Sequence, residues 1–368
     1  MTTLLLALRP GPSLAAELTP LAPEGLRCSG LVDREVGRTS PDDTFGGWEY
    51  RWEVFSNDAS ITTPFGVAVD RACNVYVASY DPLGGRITKL SRDGAVLATW
   101  GSPGKGAGQF ERLEGLAVDA AGNVYAADSG NNRVQRFTPS GTVDAVWTRE
   151  SACPAITAPV KCNVVPPEAW FNGSLSVGVD GSGTLYVVDG AFGVKRFQSS
   201  GAYLGTWGTP LSDAPTGFRA GDGIAFDADG NVYIADALLN AVRKFTRDGA
   251  LLSRFAIADE TFVRLDAPRG VAVDTDGNVY VSDTDNQRMV VFAPEGIPLA
   301  WAGRCTDEDA VGPCPRTGIG DEPGQFAFPH HLVANGRGEV FLADRYNNRV
   351  QVLKGYPIWI PPAGAGGE

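Results

Sequence analysis

The stretch Ala267–Phe292, APRGVAVDTDGNVYVSDTDNQRMVVF, decides the fold. Gly270–Asp274 is a short run rich in β-branched residues. Asp276-Gly277 then supplies the positive-φ residue that a tight hairpin needs. Val279–Ser282 reads as a second strand, Asp283–Gln287 as a polar turn and Arg288–Phe292 as a third strand. Pro294-Glu295-Gly296 turns the chain again into Ile297–Trp301. Four short strands with turn signals between them form an antiparallel meander.

The unit recurs. Aligned on the Asp that ends the first strand, the copies fall at Asp70, Asp119, Asp180, Asp227 and Asp274, with Asn335 in the sixth. The spacings are 49, 61, 47, 47 and 61 residues. The turn glycines Gly94, Gly141, Gly201, Gly249 and Gly296 recur, and an aromatic ends each fourth strand: Trp100, Trp147, Trp207, Phe255 and Trp301. This period, with four strands per copy and no helical pattern, predicts an all-β, six-bladed β-propeller of four-stranded antiparallel blades.

The sixth copy, His330–Lys354, offers only three strands before Gly355. Glu49–Phe55, EYRWEVF, stands where a fourth strand of that blade would enter, and Phe55 is the missing aromatic. The expectation is a ring closed by this N-terminal strand, which removes the open edge of a linear array. Residues 1–45 read as a degenerate export signal and linker, 46–355 as the propeller, and 356–368 as a Pro/Gly-rich tail. Blade one departs from the pattern: Arg71-Ala72-Cys73-Asn74 lacks the turn Gly, and Tyr80–Gly85 reads as a longer loop.

The 368 residues carry a net charge of −12 and 46 glycines. A single core of this size is unusual, but blades pack only on their neighbours and escape that limit. The acidic balance excludes an ordinary nucleic-acid footprint and an anionic membrane surface as partners. No apolar run is long enough to span a membrane. The expected partner is a protein or small molecule, bound by a monomer.

Six cysteines point to an oxidising compartment. Cys153 and Cys162 lie nine residues apart in one long connection, and Cys305 and Cys314 nine apart in the equivalent connection three blades on. Each pair is expected to staple its insertion, leaving Cys28 to pair with Cys73. A cysteine metal site lacks the CxxC spacing and a nearby His. Leu4–Leu8 with Leu14-Ala15-Ala16 resembles an export signal, though Arg9-Pro10 interrupts it. With the cysteines, this gives an expectation of an extracytoplasmic protein; a cytoplasmic one is the alternative.

Gly122–Phe137, GNVYAADSGNNRVQRF, and Phe341–Leu353, FLADRYNNRVQVL, are similar to NHL repeats, and the resemblance extends over residues ~46–355. It implies the same six-bladed propeller. It does not imply one function, because NHL propellers include binding domains, RNA-binding domains and a peptide-amidating lyase, and related propellers include metal-dependent lactonases. That lyase holds its metal through His from several blades. Here both histidines, His330 and His331, belong to blade six.

Function must therefore be sought in departures from the repeat. Strand alternation puts the loops between second and third strands on the same face as the connections between blades. Long loops on a rigid ring make this the expected binding face. The Asp/Arg pairs Asp128/Arg133, Asp283/Arg288 and Asp344/Arg349 read as loop-holding scaffold. Asp227-Ala-Asp229-Gly-Asn231 begins like a calcium loop but lacks the later ligands and reads as a hairpin. The glycines between Gly101 and Gly108 read as a flexible connection, since no Lys-Ser/Thr or helix follows to make a phosphate cradle.

The innermost strands begin with Phe65, Glu114, Leu175, Asp222, Arg269 and His330. The next layer is Gly66, Gly115, Ser176, Gly223, Gly270 and His331. A crowded axis favours Gly, so His331 breaks the local rule, the kind of conflict expected at a functional site. Glu114, Asp222, Arg269, His330 and His331 form the candidate ligand-binding set, and a divalent metal in the channel is a secondary expectation. No nucleophile–base arrangement is legible, so no catalytic residue is assigned. A binding module is the leading reading, and a metal-dependent hydrolase or lyase at the channel mouth the runner-up.

Overall fold

The structure is a computed structural model that describes residues 45–81, 84–155, 159–173, 175–190, 192–210, 217–218, 221–255, 264–305 and 317–359. Each copy forms its own antiparallel sheet. In blade five, Pro268–Val273, Val279–Asp283, Arg288–Phe292 and Pro298–Cys305 pair in sequence order. Six such sheets make an all-β, six-bladed propeller. The sixth is mixed in origin: its strands run in the order Phe45–Ser56, Arg349–Trp359, Val340–Asp344, Pro329–Ala334. The N-terminal segment thus pairs antiparallel with the last strand, with Trp52 opposite Leu353 and Arg51 opposite Lys354. That last strand runs past Gly355 to Trp359, so the expected tail boundary at 356 falls inside a strand.

The Asp that ends each inner strand builds the hairpin. In blade five Asp274 Oδ1 accepts the backbone N–H groups of Asp276 and Asn278, and its Oδ2 accepts from Asn278 Nδ2 and the Tyr280 hydroxyl. Asp227 repeats the arrangement with Asp229, Asn231 and Tyr233, so the Asp-rich turns are hairpins. In blade one Cys73 takes the left-handed conformation (φ 63°) that Gly holds elsewhere, and it is disulfide-bonded to a partner outside the described residues. Tyr80–Gly85 is not a longer loop. The two strands extend to Asp81 opposite Gly84, so pairing continues where blades two and six carry Asn-Asn-Arg.

Blades lock together through the recurrent glycine and aromatic. A Cβ on Gly249 would lie 2.6 Å from the Trp207 ring of the preceding blade, and its φ is 89°. Gly249→Ala therefore meets both a backbone penalty and a clash. The expected cost is about 2–4 kcal/mol, read by urea unfolding. The same glycine in blade one, Gly94, lies against the carbonyl of Phe55. Core residues of blade one (Val67, Val69, Val75, Val77) pack with Phe341, Val350 and Val352 of blade six.

The long connections are built into the scaffold. After blade two, the Cys153–Cys162 disulfide forms, and Lys161–Val164 joins Val143–Thr148 as a fifth, parallel strand. After blade five, Thr317–Gly318 pairs with Arg304–Cys305, while Cys314, like Cys28, lies outside the described residues. The glycine-rich Gly101–Phe110 connection is tied down. Ser102–Pro103 pairs with Gln109–Phe110, and Arg133 donates to the carbonyls of Lys105, Gly106 and Gln109. The expectation of a loose linker there missed this Arg, which comes from the following blade.

Candidate functional site: the channel mouth

The inner strands reach the axis through irregular pairing. The register slips between Pro64 and Gly66, Leu113 and Leu116, Gly221 and Ile224, Pro268 and Gly270, and Pro329 and Leu332. Phe65, Glu114, Asp222, Arg269, His330 and His331 all lie within these slips. Blade three pairs without interruption from Leu175 to Val179. A bulge re-aims a side chain away from the ordinary alternation. One layer further in, a Cβ on Gly270 would lie 2.5 Å from the His330 carbonyl, and one on Gly223 would lie 2.6 Å from that of Arg269. Glycine is required there because adjacent inner strands touch backbone to backbone.

Four of the five expected site residues meet directly. Asp222 Oδ1 lies 3.1 Å from His331 Nε2, and Asp222 Oδ2 accepts a 3.0 Å hydrogen bond from Arg269 Nη1. The His330 ring packs 5.0 Å from His331 and 4.5 Å from Phe65. Donor atoms of Asp222, His330 and His331 all lie within 4.8 Å of one another. Glu114 stands aside: its Oε2 accepts from Ser129 Oγ at 2.6 Å, and its Oε1 lies 3.0 Å from Arg112 Nε.

The electrostatics follow from burial and these contacts. Burial would raise Asp222, but the His331 hydrogen bond and the charges of His330, His331 and Arg269 outweigh it and hold the carboxyl well below its usual range. Burial presses His330 well below the ordinary imidazole value, aided by His331, Arg269 and Arg345 and opposed by Asp222. Burial raises Glu114, against the opposing influence of Ser129 and Arg112. An ionised carboxylate beside a neutral imidazole results. This donor set suits a divalent transition metal with nitrogen and oxygen ligands. His330 Nδ1 is buried and has no hydrogen-bond partner among the described residues, as a ligating atom without its ion would be.

A second tier comes from the residue after each second-strand Asp. Ser129 holds Glu114, Thr284 Oγ1 donates to the Pro329 carbonyl, and Arg345 lies 4.1 Å over the Phe65 ring. Sequence reading missed this tier, although its signal was available: in that column Tyr80, Ser129, Gly190, Ala237, Thr284 and Arg345 vary while the preceding position is nearly constant.

The Asp/Arg pairs lie outside the mouth's chemistry. Arg133, Arg288 and Arg349 contact Asp128, Asp283 and Asp344 through Nε at 2.7, 2.6 and 2.7 Å. Each Asp also accepts a backbone N–H from the connection entering its blade: Glu111, Asp266 or Ala327. Blades three and four keep the pairing with shifted cations, Asp189–Lys195 at 2.5 Å and Asp236–Arg243 at 2.9 Å. Among the described residues no helix is long and apolar enough to cross a membrane.

Sheet order, repeat and axial mouth define a six-bladed β-propeller. Residues 110–137, 265–292 and 326–353 match the family model of the NHL repeat. An 82-residue stretch is 33% identical to human and 34% identical to mouse NHL repeat-containing protein 3. That stretch is 22% of this chain and 24% of each relative, so the chain matches about a quarter of their length. Among solved structures, a Bacteroides thetaiotaomicron protein of unknown function is 18% identical with a TM-score of 0.57, over 84% of this chain and 77% of that one. A Xanthomonas campestris gluconolactonase is 17% identical with a TM-score of 0.54, over 84% and 90%. A catalytically inactive Staphylococcus aureus virginiamycin B lyase is 14% identical with a TM-score of 0.54, over 83% and 99%. At these identities the structures share a fold.

Proposed function

We propose that this protein is an extracytoplasmic ligand-binding propeller that works through its loop-bearing face, with its site at the channel mouth. The observation that carries the reading is His331, a bulky side chain in a layer of small residues, bonded to Asp222 two blades away. The disulfide at Cys153–Cys162 supports an oxidising compartment. The test is native mass spectrometry of protein purified under mild conditions. Bound small molecule is expected with wild type and at least about tenfold less with His331→Gly, a substitution to the layer's own common residue, with a cooperative melt showing that the variant is folded. Equal retention by both proteins would overturn the reading.

The grouping of Asp222, His330 and His331 favours a second reading, a metal-dependent hydrolase or lyase at the same mouth. A metal there would polarise a substrate oxygen or lower the pKa of a bound water. Arg269 would keep Asp222 oriented through its other oxygen, and His331 Nε2 with Asp222 Oδ1 would offer adjacent donors. Elemental analysis decides it. A stoichiometric divalent metal that Asp222→Ala and His330→Ala both lose supports the enzyme, and its absence from wild type refutes it. The gluconolactonase among the structural neighbours suggests lactones as the first substrates to try.

A further inference from the structure

His330 Nδ1 and Arg345 Nε are buried at the mouth and have no hydrogen-bond partner among the described residues. They flank the same ring: His330 packs 4.5 Å from Phe65, and the Arg345 guanidinium lies 4.1 Å over it. Arg345 is also held 4.8 Å over Tyr346, which Phe328 buttresses at 5.0 Å. Among the described residues it is therefore positioned by rings and not by a carboxylate.

The other charges of the mouth are matched. Arg112 lies against Glu114, and Arg269 against Asp222. Arg345 forms no ion pair among the described residues, so among them the mouth's side chains leave one positive charge without a paired carboxylate. That charge stays inside the mouth. Burial presses the Arg345 pKa downward, Tyr346 opposes and Arg269 adds to the effect, and Glu114 and Asp222 also act on it. A half-buried guanidinium without an anion loses solvation and gains little, unless an anion arrives.

We propose that Arg345 and His330 form a carboxylate subsite over the Phe65 ring, taking the acid group of a small monocarboxylate ligand. The proposal rests on the mouth being the ligand site. Arg345 supplies the planar fork that carboxylates accept in pairs, and the unpartnered Nδ1 of the His330 ring adds a position for a single hydrogen bond. One negative charge balances the site. A dianionic phosphate would leave an excess negative charge beside Asp222 and Glu114. Phe65 and Tyr80, with ring centroids 6.0 Å apart, offer an apolar wall for the ligand's body.

The experiment is isothermal titration of wild type, Arg345→Met, Arg345→Lys and His331→Gly with phenylacetate, phenylacetamide and phenyl phosphate. Phenylacetate is expected to bind wild type at least about tenfold tighter than the amide or the phosphate, and Arg345→Met to weaken it by about the same factor. Arg345→Lys, which keeps the charge but loses the fork, should fall between. Unchanged melting of the variants shows that folding is not the cause. Phenylacetamide binding as well as phenylacetate, phenyl phosphate binding more tightly, no phenylacetate binding by wild type, or unchanged affinity in Arg345→Met would each overturn the subsite. If acid and amide bind equally and His331→Gly abolishes both, the subsite falls while the mouth remains the ligand site. If binding survives both His331→Gly and Arg345→Met, the two fall together.

Discussion

Deleting residues 46–60 is expected to abolish folding of the propeller. The segment contributes the outermost strand of blade six, registered against the last strand from Trp48–Pro357 to Ser56–Val350. Its Trp52 ring meets Phe326 edge-on at 5.1 Å, and Phe55 meets Phe341 at 4.9 Å. Gly94 of blade one rests on the Phe55 carbonyl, so the strand also touches the neighbouring blade. Each large side chain removed forfeits about 1.5–3 kcal/mol, and each lost ladder hydrogen bond about 0.5–1.5 kcal/mol. Summed over the strand, this rivals the ~5–15 kcal/mol stability of a typical domain. The check is circular dichroism and a melting curve on the truncated protein. A soluble, cooperatively melting truncation would contradict the assignment of this strand as the ring's closing element.

Arg288→Met should be among the most damaging single substitutions, costing about 3–5 kcal/mol in urea unfolding. The side chain is 2% exposed and its partner Asp283 is 0% exposed, with Nε 2.6 Å from Oδ2. Asp283 also accepts from the Asp266 N–H and Asn286 Nδ2. Without Arg288 the carboxylate would remain buried among two dipolar donors and no full charge. The effect has a pH signature. Burial raises the Asp283 pKa, and Arg288 is the leading opposing influence. Its loss raises the folded-state value further. A raised folded-state carboxyl is unpenalised below the ordinary 3.8 and costs stability as pH rises through the folded value. The variant should therefore be least impaired in acid and worst at neutral pH. A cost under about 1 kcal/mol, or one independent of pH, would show that the pair does not hold the blade.

The fold was legible because each blade repeats the same local instructions. Asp274 and its equivalents cap a hairpin through their own side-chain oxygens, so a short motif fixes a short structure. The loop-holding Asp/Arg pairs were legible for the same reason, being five residues apart and directly paired across two strands. The site was only partly legible. The first residues of the inner strands could be collected by alignment, and Asp222, Arg269, His330 and His331 do meet. Their orientation depends on register slips that no residue type announces, since the slip at Leu113–Leu116 and that at Pro329–Leu332 share no motif. Arg345 was missed because its role is set by Phe65, 280 positions away in sequence but adjacent across the ring seam. The cations of blades three and four were missed because Lys195 and Arg243 stand six and seven residues after their Asp, where the other blades use five.

The central claim is that function resides at the channel mouth and not on the outer insertions. It is tested most directly by a crystal structure of protein purified without chelators and soaked with phenylacetate. The expected result is ordered density at the mouth, touching Arg345, His330 or Asp222. Density seated only on the Cys153–Cys162 insertion, with solvent alone at the mouth, would contradict it.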